Sequence, residues 1–302
     1  MTLADGVWQQ IFTFDHYGEL LALVRNSLVA GVALGLVGGL AGVFVLMRDL
    51  PFAVHGISEL SFAGASAALL LGANIVAGSI AGSLLAAGAI GVLGTRARDR
   101  NSVIGIIMPF GLGLGVLFLA LYKGRAANKF GLLTGQIVAV DTPQMSWLLG
   151  TAALVLVALA VMWRPLTFAS ADPDVARARG VPVRALSLAF MLVLGLAVAL
   201  SVQVVGALLV LTLVVTPAAA AARITASPVL LPALSVLFAV ASIEGGILLA
   251  LGSSIPISPY VTTISFTIYA VCRMAGRYRA RRWGARPIDG PGTVTARFVE
   301  TS

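Results

Sequence analysis

Between Ser27 and Met47 the chain carries no charged side chain, and apolar runs of about 20 residues recur along most of its length. A run of that length spans about 30 Å as an α-helix, the thickness of a bilayer's hydrocarbon core. Lipid offers no water to backbone N–H and C=O groups, so a spanning segment must be a helix or part of a closed barrel. The runs are continuous and do not alternate, which excludes a barrel. Composition agrees: of 302 residues, 59% are hydrophobic and 11% charged, with a mean hydropathy of +1.00. Those values exclude a soluble α/β enzyme.

The formal charge of +8 does not indicate nucleic acid, because no basic face interleaved with aromatic or motif residues is visible. The arginines follow topology instead. They crowd the end of the chain from Arg273 onward, and Arg96, Arg98 and Arg100 sit together between two apolar runs. The one cysteine, Cys272, excludes an intramolecular disulfide and reads as a packing residue in an apolar span. The first 24 residues contain Asp5, Asp15 and Glu19 but no lysine or arginine, so they lack the basic start of a secretory signal. His16 reads as part of a solvated helix start, where flanking acids complement the helix dipole.

A sliding window gives about nine spans: 21–47, 52–71, 74–94, 102–122, 145–163, 185–200, 203–222, 229–251 and 260–276. An odd number separates the termini. The basic tail places the C-terminus inside and the acidic N-terminus outside. Arg48, the Arg96–Arg100 loop, the Arg164–Arg184 loop and Arg223 then fall on the cytoplasmic face. Lys123, Arg125 and Lys129 break the rule by falling outside. Pro51, Pro109, Pro217 and Pro256 mark places where helices break or bend, and Gly- and Ala-rich stretches such as 78–88 predict close helix contacts.

Two acids, Glu59 and Glu244, lie well inside apolar spans, where a charged carboxylate costs about 2.5–3.5 kcal/mol. His55 precedes Glu59 by four residues, so the two project from one helix face. Imidazole with carboxylate suits a first-row divalent cation such as zinc, manganese or iron, and two ligands alone make a loose site fit for release. An internal hydrogen bond that neutralises a buried acid is the competing reading. Glu244 has no partner in its own span; it is either a protonated packing residue or a lesser metal candidate.

The stretch FASADPDVARARGVPVRA predicts a short helix over 173–179. Asp172 is its N-cap, Pro173 its first residue, Gly180 its stop, and Pro182 prevents continuation. It reads either as a docking element for a cytoplasmic partner or as a surface helix joining two spans.

Three segments carry a resemblance that covers residues 23–276. They are RNSLVAGVALGLVGGLAGVFVLMRDLPFAVHGISELSFAGAS, ASADPDVARARGVPVR and SVQVVGALLVLTLVVTPAAAAARIT. Together they resemble the permease subunit of ATP-binding-cassette importers for zinc, manganese or iron(II). The family's first region reads G-D-A-L-S-H-A-V-L-P-G. Laid over VHGISELSFAG, it aligns Ser58 and Gly64, puts His55 where the family has aspartate and Glu59 where it has histidine, and replaces the proline by Ala63.

The resemblance implies an all-α polytopic membrane helical bundle of about nine transmembrane helices, with the BtuC-like architecture of ABC importer permeases. It implies a single transmembrane permease domain over 1–276, with 1–20 extracytoplasmic, 165–184 a cytoplasmic coupling loop, and 277–302 a flexible basic cytoplasmic tail. In that loop Asp172, Pro173, Asp174, Ala176, Arg177 and Gly180 would dock into a separate ATP-binding subunit. The chain itself lacks the G-x-x-x-x-G-K-[ST] phosphate loop, so it is read as a transport subunit and not an enzyme.

No permanently bound cofactor is implied, since the divalent metal is cargo. Further partners would be a second permease copy or homologue and an extracytoplasmic metal-binding protein, whose acids would pair with Lys123, Arg125 and Lys129. The location would be the bacterial cytoplasmic (inner) membrane. The alternatives are a permease for metal chelates such as cobalamin or siderophores, or a proton-coupled secondary transporter titrating Glu59 and Glu244.

Overall fold

The computed structural model describes residues 24–94, 97–124, 131–132, 142–251 and 256–282. His16, Arg96, Arg125, Lys129, the segment 1–20 expected to be extracytoplasmic and residues 283–302 of the tail lie outside them. Among the described residues every regular element is helical. In chain order these are α1 (Arg25–Met47), α2 (Pro51–Leu71), α3 (Ile75–Leu93), α4 (Ala97–Leu121), α5 (Thr142–Ala171), α6 (Pro173–Ala178), α7 (Val183–Val205), a 3-10 turn Ala207–Leu209, α8 (Val210–Val214), α9 (Thr216–Ile224), α10 (Leu230–Leu251) and α11 (Ile257–Arg282). Seven of the described helices, α1 to α5, α7 and α10, are long and apolar enough to cross a membrane. The protein is an integral membrane helical bundle.

Local signals explain most boundaries. Pro51 opens α2, Pro217 sits in the first turn of α9 and Pro256 immediately precedes α11, where a missing N–H costs nothing. Gly72 closes α2 in the left-handed conformation, with the Ala73 amide donating to the Ala68 carbonyl at 2.8 Å. Asn74 caps α3 by accepting from the Ala77 amide at 3.1 Å. Pro109 stays inside α4 without ending it.

Three expectations need correction. The span read as one helix over 203–222 is interrupted: α7 runs on to Val205, Gly206 turns the chain at φ +87°, and α8 and α9 are separated at Val215. Hydropathy is blind to that break, because Gly206 and Pro217 are too few to lower a window of apolar neighbours. The second correction concerns the bounds of 165–184, expected as a loop carrying one short helix: α5 continues through Pro165 to Ala171 and α7 begins at Val183, so only 172–182, which contains α6, connects them. The third concerns the tail, which remains helical through Arg282. Arg and Ala are strong helix formers, and cations suit a helix C-terminus.

Close backbone contacts fix the packing. A Cβ on Gly64 of α2 would stand 2.1 Å from the Gly78 carbonyl oxygen of α3, so only glycine fits there. Ser61 and Ser79 hydroxyls lie 2.8 Å apart across this contact. The Ser235 hydroxyl of α10 donates to the Gly39 carbonyl of α1 at 2.7 Å. Such interhelical bonds contribute about 0.6 kcal/mol each in lipid. Phe44 joins three helices, meeting Trp163 of α5 edge-on at 4.8 Å and Phe190 of α7 at 5.8 Å. Arg48, Arg100, Arg177 and Arg184 line one cavity where α1, α3 and α5 end and α4 and α7 begin. Basic residues from separate loops therefore gather at one end of the bundle, the pattern of a cytoplasmic face.

Candidate functional site

The α2 helix positions the pair. It begins at Pro51 and runs unbroken to Leu71, so His55 and Glu59 stand one turn apart on one face. His55 Nε2 lies 3.6 Å from Glu59 Oε1. The two differ in environment: the Glu59 side chain is 4% exposed, whereas His55 is 29% exposed and reaches the molecular surface. Glu59 is enclosed by α4. A Cβ on Gly111 would fall 2.9 Å from the Glu59 carbonyl carbon and from the Leu60 nitrogen. The Ser58 hydroxyl donates to the His55 backbone carbonyl at 2.8 Å, a contact that does not involve the imidazole.

A separation of 3.6 Å is longer than a normal N–H···O hydrogen bond, whose mode is about 2.9–3.0 Å. It is close to the ~3.4 Å between two ligands bound tetrahedrally at about 2.1 Å to one zinc-sized ion. The pair is therefore an ion-pair contact longer than a hydrogen bond. His55 Nδ1 is also buried without a partner. Among the described residues no group of three or more His, Cys, Asp or Glu side chains could hold a metal ion, so the pair stands without a third such group. That fits passage rather than storage, because a conduit must release what it binds.

Glu244 is not brought to this pair. It lies on α10, which packs against α1, α9 and α11, whereas α2 packs against α3, α4 and α7. Its carboxylate presses on α1: a Cβ on Gly31 would fall 2.4 Å from Glu244 Oε1. That oxygen is buried and accepts no hydrogen bond.

The 172–182 segment folds from its own sequence. Asp172 Oδ1 accepts from the amides of Asp174 and Val175 at 3.1 and 3.0 Å, and Pro173 occupies the first turn of α6. Gly180, at φ +82°, ends it, and the Val181 amide donates to the Ala176 carbonyl at 3.0 Å. Ala176 is fully buried against Ala169 and Val183, which anchors α6 to the ends of α5 and α7. Arg177 pairs with Asp174 at 2.5 Å on the exposed side. Asp172, Pro173 and Asp174 are exposed beside them. Val175 projects from the same helix 44% exposed, an apolar contact residue that charge and capping signals do not reveal. Gly111 also escaped the sequence, since only its place opposite Glu59 gives it meaning. Lys123 lies exposed just beyond α4.

With that geometry in view, similarities to known proteins acquire weight. The chain is 27% identical over 263 residues to the manganese transport system membrane protein MntC of Halalkalibacterium halodurans, covering 86% of this chain and 89% of that one. It is 24% identical to the high-affinity zinc uptake system membrane protein ZnuB of Haemophilus influenzae, covering 83% and 97% of the two chains. The fold matches the solved PsaBC complex from Streptococcus pneumoniae, determined with a Fab, at a TM-score of 0.77 and 24% identity over 88% of this chain and 99% of that one. The profile of the ABC 3 transport family spans residues 21–276, and the chain belongs to that family.

Proposed function

We propose that this chain is the membrane-spanning permease subunit of an ABC importer that moves a divalent metal ion, manganese or zinc, into the bacterial cytoplasm. The observation that carries the reading is the His55–Glu59 pair, a buried carboxylate and a half-exposed imidazole 3.6 Å apart on an apolar helix. Keeping an ionisable acid at that depth is costly, and a passing dication offsets the cost. Relatives named for manganese and for zinc support the cargo class. The family's carboxylate and imidazole positions are both occupied here in exchanged order, so the family's metal selectivity does not carry over to this chain.

ATP hydrolysis belongs to a separate subunit. The capped α6 helix, with Asp172, Asp174, Val175 and Arg177 outward and Ala176 inward, would dock there and pass nucleotide-driven closure to α5 and α7 as a rigid-body motion. A second permease copy or a close homologue completes the translocation path. Lys123, Arg125 and Lys129 would meet acids on an extracytoplasmic metal-binding protein; charge reversal at all three lowers that protein's affinity and flattens its salt dependence.

The test is metal uptake by cells carrying the complete importer with His55→Ala or Glu59→Ala, each competed across manganese, zinc and iron. Loss of uptake with unchanged membrane abundance is expected. Undiminished uptake in both variants refutes the reading.

A further inference from the structure

The cavity at the cytoplasmic end of the bundle has a volume of about 950 Å³ and is lined by Arg48, Arg100, Arg177 and Arg184, with no aspartate or glutamate among its lining residues. Arg177 already has Asp174 as its partner. Among the described residues, Arg48 and Arg100 have no acidic partner. One Arg48 nitrogen, Nη2, donates to the Ser187 hydroxyl, and the guanidinium lies 5.8 Å from the centre of the Phe190 ring. Its other terminal nitrogen, Nη1, is buried with no acceptor. Arg100 donates through Nη2 to the Asp49 carbonyl at 3.4 Å, while its Nε is likewise buried and unanswered.

Burial, and then the nearby Arg100 charge, hold the Arg48 guanidinium below its ordinary pKa, as befits two cations facing each other without a counter-ion. Buried donors of this kind are costly unless an acceptor arrives. The acceptor that suits two forked guanidinium groups is an oxyanion with several oxygens, which each can engage in parallel N–H···O bonds.

The rest of the wall says which anion. The remaining lining is largely apolar, including Ile90, Leu188 and Met191, and it reaches Val92. Val92, which lines the cavity, is 60% exposed near the end of a helix long and apolar enough to cross a membrane, so the apolar wall continues onto that helix's exposed surface. A free anion would use only the arginines. A lipid would use both surfaces, and basic pockets between helices at the cytoplasmic side of membranes suit anionic headgroups.

We propose that this cavity is an inner-leaflet site for an anionic phospholipid, its phosphate held by Arg48 and Arg100 and its acyl chains lying along Val92 and Leu93. The site joins the α1–α2 connection to the start of α7, next to α6. Its occupant would therefore brace the coupling helix against the bundle.

The experiment uses the purified full-length chain, delipidated in a neutral detergent. Native mass spectrometry follows binding of phosphatidylglycerol, phosphatidylcholine and glycerol phosphate. Phosphatidylglycerol is expected to bind about tenfold more tightly than either of the others, the order expected for two cations near a membrane surface. R48Q/R100Q is expected to remove that preference. R184Q, at an exposed position on the rim, leaves a smaller preference and serves should the double variant fail to fold.

Equal binding of phosphatidylcholine overturns the anion requirement. Equal binding of glycerol phosphate overturns the lipid. A preference for phosphatidylglycerol that persists in R48Q/R100Q, or that R184Q leaves undiminished, overturns the site.

Discussion

The 172–182 segment and the intramembrane pair are both small and polar, yet they are specified in opposite ways. In 172–182 each residue finds its reason within ten positions: Asp172 caps, Pro173 starts, Gly180 stops, and Ala176 packs on Ala169 and Val183. At 55–59 only the spacing is local. The enclosure that makes Glu59 costly comes from Gly111, some fifty residues away, and from the helices against which α2 packs. A segment that contains its own explanation tolerates change gradually. One that borrows its environment fails abruptly, and failure of either partner exposes the other.

The sharpest break in that comparison is at the pair. Loss of His55 or Glu59 by alanine substitution should lower uptake at subsaturating metal by about two orders of magnitude, at the upper end of what even outer-shell changes cost at metal sites. The double variant should cost little more than either single one, because both side chains serve one ion. Thermal stability should hold or rise in Glu59→Ala, since a buried acid without a hydrogen bond is removed. A pair that merely satisfied itself would show the reverse, reduced stability with uptake intact. Exchanging the order, as His55→Asp with Glu59→His, should preserve uptake while altering the manganese-to-zinc ratio in competition.

The next effect tests the borrowed environment. Gly111→Val forces a side chain into α2 beside Glu59 and should destabilise the bundle by about 1–3 kcal/mol, with uptake falling alongside. Gly113→Val is the control, since nothing lies within 4 Å of a Cβ there, and it should change thermal stability by less than about 0.5 kcal/mol. Equal effects at both positions would show that Glu59 is not confined by α4.

The same contrast governs what could be read in advance. The long apolar runs located the spans, because lipid enforces one rule on every backbone group. The 173–178 helix was legible to within a residue, because caps are chemistry between near neighbours. The break between Val205 and Val210 was not, since a window over apolar residues averages away one glycine with positive φ. His55 and Glu59 were visible as a pair through helical spacing, but their unequal burial was not. Nor was the separation of Glu244, which shares a residue type with Glu59 and none of its neighbours. The four arginines around one cavity come from four connections or helix ends, and no pattern along the chain announces that they meet.

The smallest expected effect lies in the self-contained region and separates capping from charge. Asp172→Ala removes the acceptor for two α6 amides and should cost about 1 kcal/mol, confined to a helix of six residues. Global unfolding should scarcely register it, because α6 touches the bundle through Ala176 rather than through its cap. Hydrogen exchange at Asp174 and Val175 should accelerate instead, and metal-stimulated ATP hydrolysis by the assembled importer should drop a few-fold as the docking helix frays. Asp172→Asn keeps the cap while discarding the charge, so it should restore slow exchange. If hydrolysis recovers with it, α6 acts through its shape. If exchange recovers and hydrolysis does not, the Asp172 carboxylate itself meets the ATPase.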